Sequence, residues 1–458
     1  MRVLLVSSNF EKVPAIYPLG MATLAGWLRS LGHRVDMLDL CFEPKPEQKV
    51  IEAIQRSNGS GPDVIGLSIR NLDNTLYPEF LNIDYTRTHQ KFAHLLKKHA
   101  RVPIVAGGSG FSLAPQALLK YLDLEIGIIG DGEMAMAELL RRLSEGKPYD
   151  DIPGLMLRGK PAEPWKVPDL TDFPKPWRQA GHCAQYATIN AGIWGNIQSK
   201  RGCPMSCSYC VYPNLEGQTL RFRDPRQVAA EMKYCRRNLG ISDFSFVDNL
   251  FNLPLDHAAA ICEEILRAGL DIRWDATFYP HPEYLSQDFL LLAARSGCNS
   301  IDFGGMDSAS SVTLKGLGKG FTVDQIMEAA EMVKASGMRL IVSLLLGGPN
   351  ETLETITESL DRVAGMDPDC AWISLGIRIY ANTELERIAR RERIIAEDDD
   401  LLHPRFYVSP HIENGWWNLI DAYRKKHPQW AYVCLARDFG EWDEEILKYA
   451  TAYQNIHE

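Results

Sequence analysis

Two hydrophobic periods alternate along this chain, and their order predicts two α/β layers joined by a proline-rich stretch. Val3-Leu4-Leu5-Val6 is an apolar run that reads as a strand buried on both faces. Leu19, Ala22, Thr23, Gly26 and Trp27 then recur at helical spacing, Gly32 stops the helix, and 35–40 is the next strand. Further short strands are expected at 64–69, 103–106 and 125–129, with helical stretches between and after them. Strands alternating with helices over residues 1–147 predict a Rossmann-like open parallel sheet. Its ligands would lie beyond the carboxyl ends of the strands.

From 148 the periodicity fades and prolines crowd together, so 148–186 is expected to be a linker. Trp165, Phe173 and Trp177 would be costly to leave in water, so it should be ordered against a neighbour. The alternation resumes at 187. Strands are expected at 188–198, 243–247, 272–277, 300–304, 339–346 and 371–379, with helices at 225–239, 255–268, 287–295, 323–336 and 352–365. Six such units over 187–380 predict a partial (β/α)6 barrel with its chemistry at the carboxyl ends of the strands. Residues 381–458 carry a helix at 384–395 and a polar-aromatic tail, including Phe406-Tyr407 and Gly415-Trp416-Trp417, placed to cap the barrel mouth.

The composition narrows the class. At 458 residues and 45% apolar content the chain can bury more than one core. No apolar run approaches the roughly 18 residues of a membrane span, and the first strand is too soon interrupted to be a signal peptide. A net charge of −10 argues against nucleic acid as the main partner. Ten cysteines at irregular spacing read as reduced thiols, which places the protein in the cytoplasm. Cys41, Cys183, Cys235, Cys262, Cys298, Cys370 and Cys434 are expected to be buried and inert.

Three other cysteines carry chemistry. Arg201-Gly202-Cys203-Pro204-Met205-Ser206-Cys207-Ser208-Tyr209-Cys210 follows the first barrel strand directly. Its spacing supplies three thiolates where a four-iron cube takes four ligands, and the nearest cysteine downstream is Cys235. One iron is left free to bind something else. Structural zinc is the weaker reading, because no second C-x2-C or H-x3-H pair follows.

This run resembles the cluster loop of the radical S-adenosylmethionine (radical SAM) enzymes, with Tyr209 at the aromatic position. The resemblance implies a [4Fe-4S] cluster on Cys203, Cys207 and Cys210 whose open iron chelates SAM. It also implies an electron donor such as flavodoxin or ferredoxin. Phe246-Val247-Asp248-Asn249-Leu250-Phe251-Asn252 resembles the second-strand element of the cobalamin-linked subgroup, which implies that Asp248 and Asn249 hold the methionyl ammonium. Gly305-Met306-Asp307-Ser308-Ala309-Ser310 resembles the element after the fourth strand that faces SAM, here through Asp307 and Ser308. Gly347 in Leu346-Gly347-Gly348-Pro349 would let backbone approach adenine. Arg378 and Tyr380, in Gly376-Ile377-Arg378-Ile379-Tyr380, match a further SAM-side element, where Arg378 would meet a carboxylate of SAM or substrate or pair with a neighbouring acid.

The front domain resembles the cobalamin-binding domain fused to such barrels. The match runs through Tyr17-Pro18-Leu19-Gly20, Ile65-Gly66-Leu67-Ser68, Ala106-Gly107-Gly108-Ser109 and Gly130-Asp131-Gly132-Glu133. It implies a corrin held by Leu19, Gly20, Ser68, Gly107, Gly108, Ser109, Gly130, Gly132 and Glu133. The D-x-H-x-x-G element that supplies a cobalt-ligating histidine is absent. Arg70 and Asn71 stand in that stretch and would face the corrin without ligating it, contact the substrate or cap the sheet, while His33 sits in a turn as a solvated residue.

The implied function is a radical SAM C-methyltransferase. The cluster would cleave SAM reductively, and cobalamin would deliver a methyl group to an unactivated carbon of a small molecule. The alternatives are a radical rearrangement, a cyclisation or 3-amino-3-carboxypropyl transfer without cobalamin, and, outside enzymes, an iron-sulfur or corrin binding protein.

Overall fold

The computed structural model describes residues 1–11, 15–55, 61–75, 82–171, 173–189, 195–412, 416–428 and 430–432. The front sheet holds β1 (Arg2–Ser7), β2 (Arg34–Asp39), β3 (Val64–Ser68), β4 (Ile104–Gly107), β5 (Ile126–Ile128) and β6 (Leu155–Leu157). Their order is β2-β1-β3-β4-β5-β6, and the first five run parallel. Strand direction in β1 explains the two-sided burial. Val3 and Leu5 join the core on one face, Leu4 and Val6 the core on the other. The order reverses between β1 and β3, which opens a crevice at their carboxyl ends.

β6 comes from the proline-rich stretch and pairs antiparallel with β5, an addition the fading periodicity of that stretch had hidden. The segment then runs as a strap across helix Leu19–Ser30 and ends in a helix, Ala180–Ile189, over residues expected as linker. Phe173 stacks on Trp27 at 5.0 Å, the Trp177 N–H bonds the Ala22 carbonyl at 2.8 Å, and Arg29 lies over the Trp177 ring. Gly26 permits this closeness, since a Cβ there would sit 2.6 Å from the Lys175 carbonyl oxygen.

The second sheet begins with β7 (Gly195–Ile197), after which β8 (Lys200–Arg201) and β9 (Arg221–Phe222) form a small antiparallel ribbon around the cysteine loop. It continues with β10 (Asp243–Phe246), β11 (Arg273–Thr277), β12 (Cys298–Asp307), β13 (Arg339–Leu346) and β14 (Cys370–Leu375). Neighbours pair in parallel in chain order, the partial-barrel arrangement.

Three details depart from expectation. The first strand is described only over Gly195–Ile197, and residues 190–194 lie outside the described residues. The expected strand 371–379 breaks at Gly376 (φ +70°), and β15 (Ile377–Arg378) turns away to pair antiparallel with β16 (Phe406–Tyr407). β17 (Ala431–Tyr432) adds a seventh strand beside β14. In the tail, helices Glu384–Arg391 and Trp416–Lys426 are present, while Gly415 and residues 433–458, with Cys434, lie outside the described residues. No described helix is long and apolar enough to cross a membrane.

Candidate functional site

A cavity of about 570 Å³ lies between the front sheet and the barrel. Its front wall is built at the β1/β3 switch point. Ile69, just past β3, receives the Gly110 N–H on its carbonyl and donates its own N–H to Gly107. Gly108 adopts φ +103°, and a Cβ there would lie 2.5 Å from the Ile69 oxygen, so only glycine lets the two loops sit side by side. Leu19, Gly20, Ser68, Arg70, Asn71, Gly107, Gly108, Ser109, Gly130, Gly132 and Glu133 all line this one cavity.

The polar groups in that wall are held from behind. Glu11 accepts from the Arg70 guanidinium and, at 2.7 Å, from the Asn71 amide. Burial pushes the Glu11 carboxyl up, against the pull of Arg70. His89 bridges the loops after β1 and β3, with Nδ1 2.8 Å from Ser8 Oγ and Nε2 2.8 Å from the Asn71 carbonyl. Glu133 lines the cavity, but its carboxylate is gripped by Arg201, so it serves the wall rather than offering a free acid. His33 is half-buried at the amino end of β2, against the N-terminus, and is not among the lining residues.

Across the cavity stand Tyr212, Leu215, Glu216 and Val247 of the barrel, the first three directly after the cysteine loop. That loop is folded by its own backbone. The Gly202 N–H bonds Glu216 at 3.0 Å, the Cys203 N–H bonds the Gly217 carbonyl, and Ser208 exchanges bonds with Leu317 and Leu385. Burial pushes the Cys203 thiol up and the Cys210 thiol up to about 12, while Lys319 pulls both down. Loading a metal cluster must therefore release these protons.

Beside the thiols Tyr209 donates to Asp307, which pairs with Lys319, and Lys319 also donates to the Gly305 carbonyl at 2.8 Å. Asp307 and the lysine side chain are almost wholly buried. A bulge creates this arrangement. Phe303 pairs with Val342 but Asp307 with Leu344, so the end of β12 carries two extra residues and turns Asp307 toward Tyr209 at φ +61°. Asn249 donates to Glu216 at 2.8 Å and reaches the Gly202 carbonyl, at the foot of the cysteine loop. Gly347 ends β13 at φ +101°, with its N–H on Glu351.

Four residues expected at SAM are engaged by other parts of the protein. Asp248 points back into the start of the barrel, where it accepts from Ser199 N at 2.7 Å, Ser199 Oγ and Lys200 N, with the buried Lys200 ammonium alongside. Both its oxygens accept, so it fixes the link from β7 to β8. Ser308 is fully buried against Ser359 and accepts from the Ser310 N–H. Arg378 turns out of the barrel and binds Asp73 of the front domain at 2.9 Å. Tyr380 lies under that guanidinium, 4.8 Å away, and belongs to the same contact.

Sequence reasoning missed Glu11, His89, Lys319, Glu216 and Asp73, the acid that Arg378 pairs with. Lys319 and Glu216 carried the signal of a charged residue close to the cluster motif or its family pattern. The others carried none, since their partners are distant in the chain.

The family model described as the radical SAM superfamily matches residues 197–363, and that of the B12 binding domain matches 13–140. The chain carries a radical SAM domain behind a B12-binding domain. It is 27% identical to tryptophan 2-C-methyltransferase of Streptomyces laurentii, over 80% of this chain and 71% of that one. Its fold is shared with the methyltransferase TsrM of Kitasatospora setae, solved with cobalamin and a [4Fe-4S] cluster bound. The TM-score is 0.83 at 24% identity, over 99% of both chains. OxsB, solved with aqua-cobalamin and S-adenosylmethionine, shares it at TM-score 0.73 and 17% identity, over 100% of this chain and 71% of OxsB.

Proposed function

We propose that the protein is a cobalamin-dependent radical SAM methyltransferase that places a methyl group on an unactivated carbon of a small molecule. The carrying observation is the shared cavity, with glycine loops of the B12-type domain on one side and residues adjoining the cysteine loop on the other. Both cofactors suit the residues present. Three thiols lie on one loop beside a buried cation, and Gly107 and Gly108 line the cavity where Gly108 lets the loops after β3 and β4 lie side by side. Kinship with tryptophan 2-C-methyltransferase supports the methyl-transfer outcome.

When bound, the cluster supplies the electron that splits SAM and the corrin supplies the methyl carrier. The chain's own residues bind, orient and exclude water. We assign the cluster to Cys203, Cys207 and Cys210, and the SAM side to Tyr209, Asn249, Gly347 and the Asp307–Lys319 pair. The corrin falls to Leu19, Gly20, Ser68, Asn71, Gly107, Gly108, Ser109, Gly130 and Gly132. Arg70, fixed by Glu11, would face the corrin without ligating it, since a guanidinium offers no lone pair to cobalt. Reduction by a flavodoxin- or ferredoxin-type donor in the cytoplasm completes the proposal.

The test is anaerobic reconstitution with iron, sulfide, hydroxocobalamin and SAM, read by absorbance and by mass spectrometry of all SAM products. Uptake of the corrin and a methylated product are expected. Full iron loading without SAM consumption would overturn the enzyme reading. Methylthioadenosine without deoxyadenosine would point to aminocarboxypropyl transfer instead.

A further inference from the structure

Four charges are buried together where the two halves of the molecule meet. Arg201, the last residue of β8, donates to Glu133 Oε1 at 2.7 Å and Oε2 at 3.2 Å and lies 3.0 Å from Asp131 Oδ1. Arg221, its partner across the β8–β9 ribbon, binds the other Asp131 oxygen and also donates to the carbonyls of Val167 and Glu216. All four side chains are at most 9% exposed. Two cations and two anions balance, so the group is neutral as a whole and costly to open, because separating either pair leaves an uncompensated buried charge.

The position of this group matters more than its strength. Asp131 and Glu133 belong to the Gly130–Glu133 turn, which forms part of the cavity wall, and Arg201 lines the same cavity. Arg201 also stands two residues before Cys203, and Arg221 holds the Glu216 carbonyl next to Gly217, whose own carbonyl receives the Cys203 N–H. A ligand that orders the turn therefore orders the ribbon from which the cysteine loop springs.

We propose that this group of Asp131, Glu133, Arg201 and Arg221 couples the two cofactor sites, so that filling the corrin cavity holds the cluster loop closed. Linkage makes the effect mutual: a loaded cluster tightens corrin binding by the same factor. Arg201 and Glu133 are positioning residues in this account. The inference rests on the corrin reading above.

The experiment measures loss of cluster absorbance when the anaerobically reconstituted protein meets excess chelator, with and without bound hydroxocobalamin. The corrin is expected to slow cluster loss about fivefold or more, the lower end of ordinary coupling between sites. Hydroxocobalamin should in turn bind the cluster-loaded protein more tightly than the cluster-free protein. In Glu133→Gln the protection should fall below about twofold, while thermal unfolding of the cofactor-free variant reports its folding. Arg201→Lys, which keeps the charge but not the two-pronged contact, is the second variant and should lose protection in the same direction.

Corrin uptake with an unchanged rate of cluster loss in the unaltered protein would overturn the coupling and leave the proposed function intact. Full protection retained in both variants would overturn the role of these charges. Absence of any corrin uptake would overturn the coupling together with the corrin reading on which it rests.

Discussion

His89 has both ring nitrogens engaged and is almost fully buried, and burial lowers its pKa to about 4. His257 is lowered to about 4 as well, by burial and by the nearby Lys200 charge. Unfolded, each would titrate near 6.5. Between those values the unfolded chain takes up protons that the folded chain refuses, so stability is full above about pH 6.5 and falls as pH drops toward 4. The contribution of His89 is about 3 kcal/mol across that window. Thermal midpoints recorded from neutral to acid pH should show this slope, and His89→Leu should flatten it. The same scale explains what a reader of the sequence sees and misses. Cys203, Cys207 and Cys210 are legible because cluster spacing is local. Arg378 is not, because its carboxylate lies 305 residues away. Asp248 was legible as functional chemistry, yet which way a strand-end side chain turns depends on the neighbouring strand, here the Ser199–Lys200 backbone.

Among the elements, the loops after β3 and β4 are the most exacting. Gly108→Ala would force a Cβ into the Ile69 carbonyl at a backbone angle that alanine disfavours. A loss of about 2 kcal/mol or more is expected, with weaker hydroxocobalamin binding by equilibrium dialysis and little change in cluster content. The order of strands and helices followed from the alternation of periods, because that signal is set within each segment. The break at Gly376, the pairing of β15 with β16 and the bulge at the end of β12 did not, since each depends on what a partner strand offers. Asp248→Asn should loosen the start of the ribbon, for the carboxylate there takes two backbone N–H groups and the Ser199 hydroxyl. Lower iron retention after chelator challenge, with the secondary structure unchanged by circular dichroism, is the expected result.

At the level of the whole molecule, contacts that cross between the halves decide the geometry. Arg378 on the barrel and Asp73 on the front domain are 3% and 1% exposed. Arg378→Ala leaves that carboxylate buried without its cation, with the Thr75 N–H still bonded to it, at a cost of about 3 kcal/mol. Urea unfolding should register the loss, and SAM affinity measured by equilibrium dialysis should change little, since Asp73 already engages the arginine. His403 adds a second tie, bonded to Asp84 at 2.6 Å and edge-on to Tyr121.

The strap of residues between the two sheets has a consequence for anyone building hybrids of such proteins. Its β6 edge belongs to the front sheet, Phe173 lies between Trp27 and the Arg201 guanidinium, and Trp177 is fastened to the first helix. A graft that cuts after β5 would strand these aromatics on a foreign surface. Exchange of the front half should succeed only when the strap travels with it as one inherited piece.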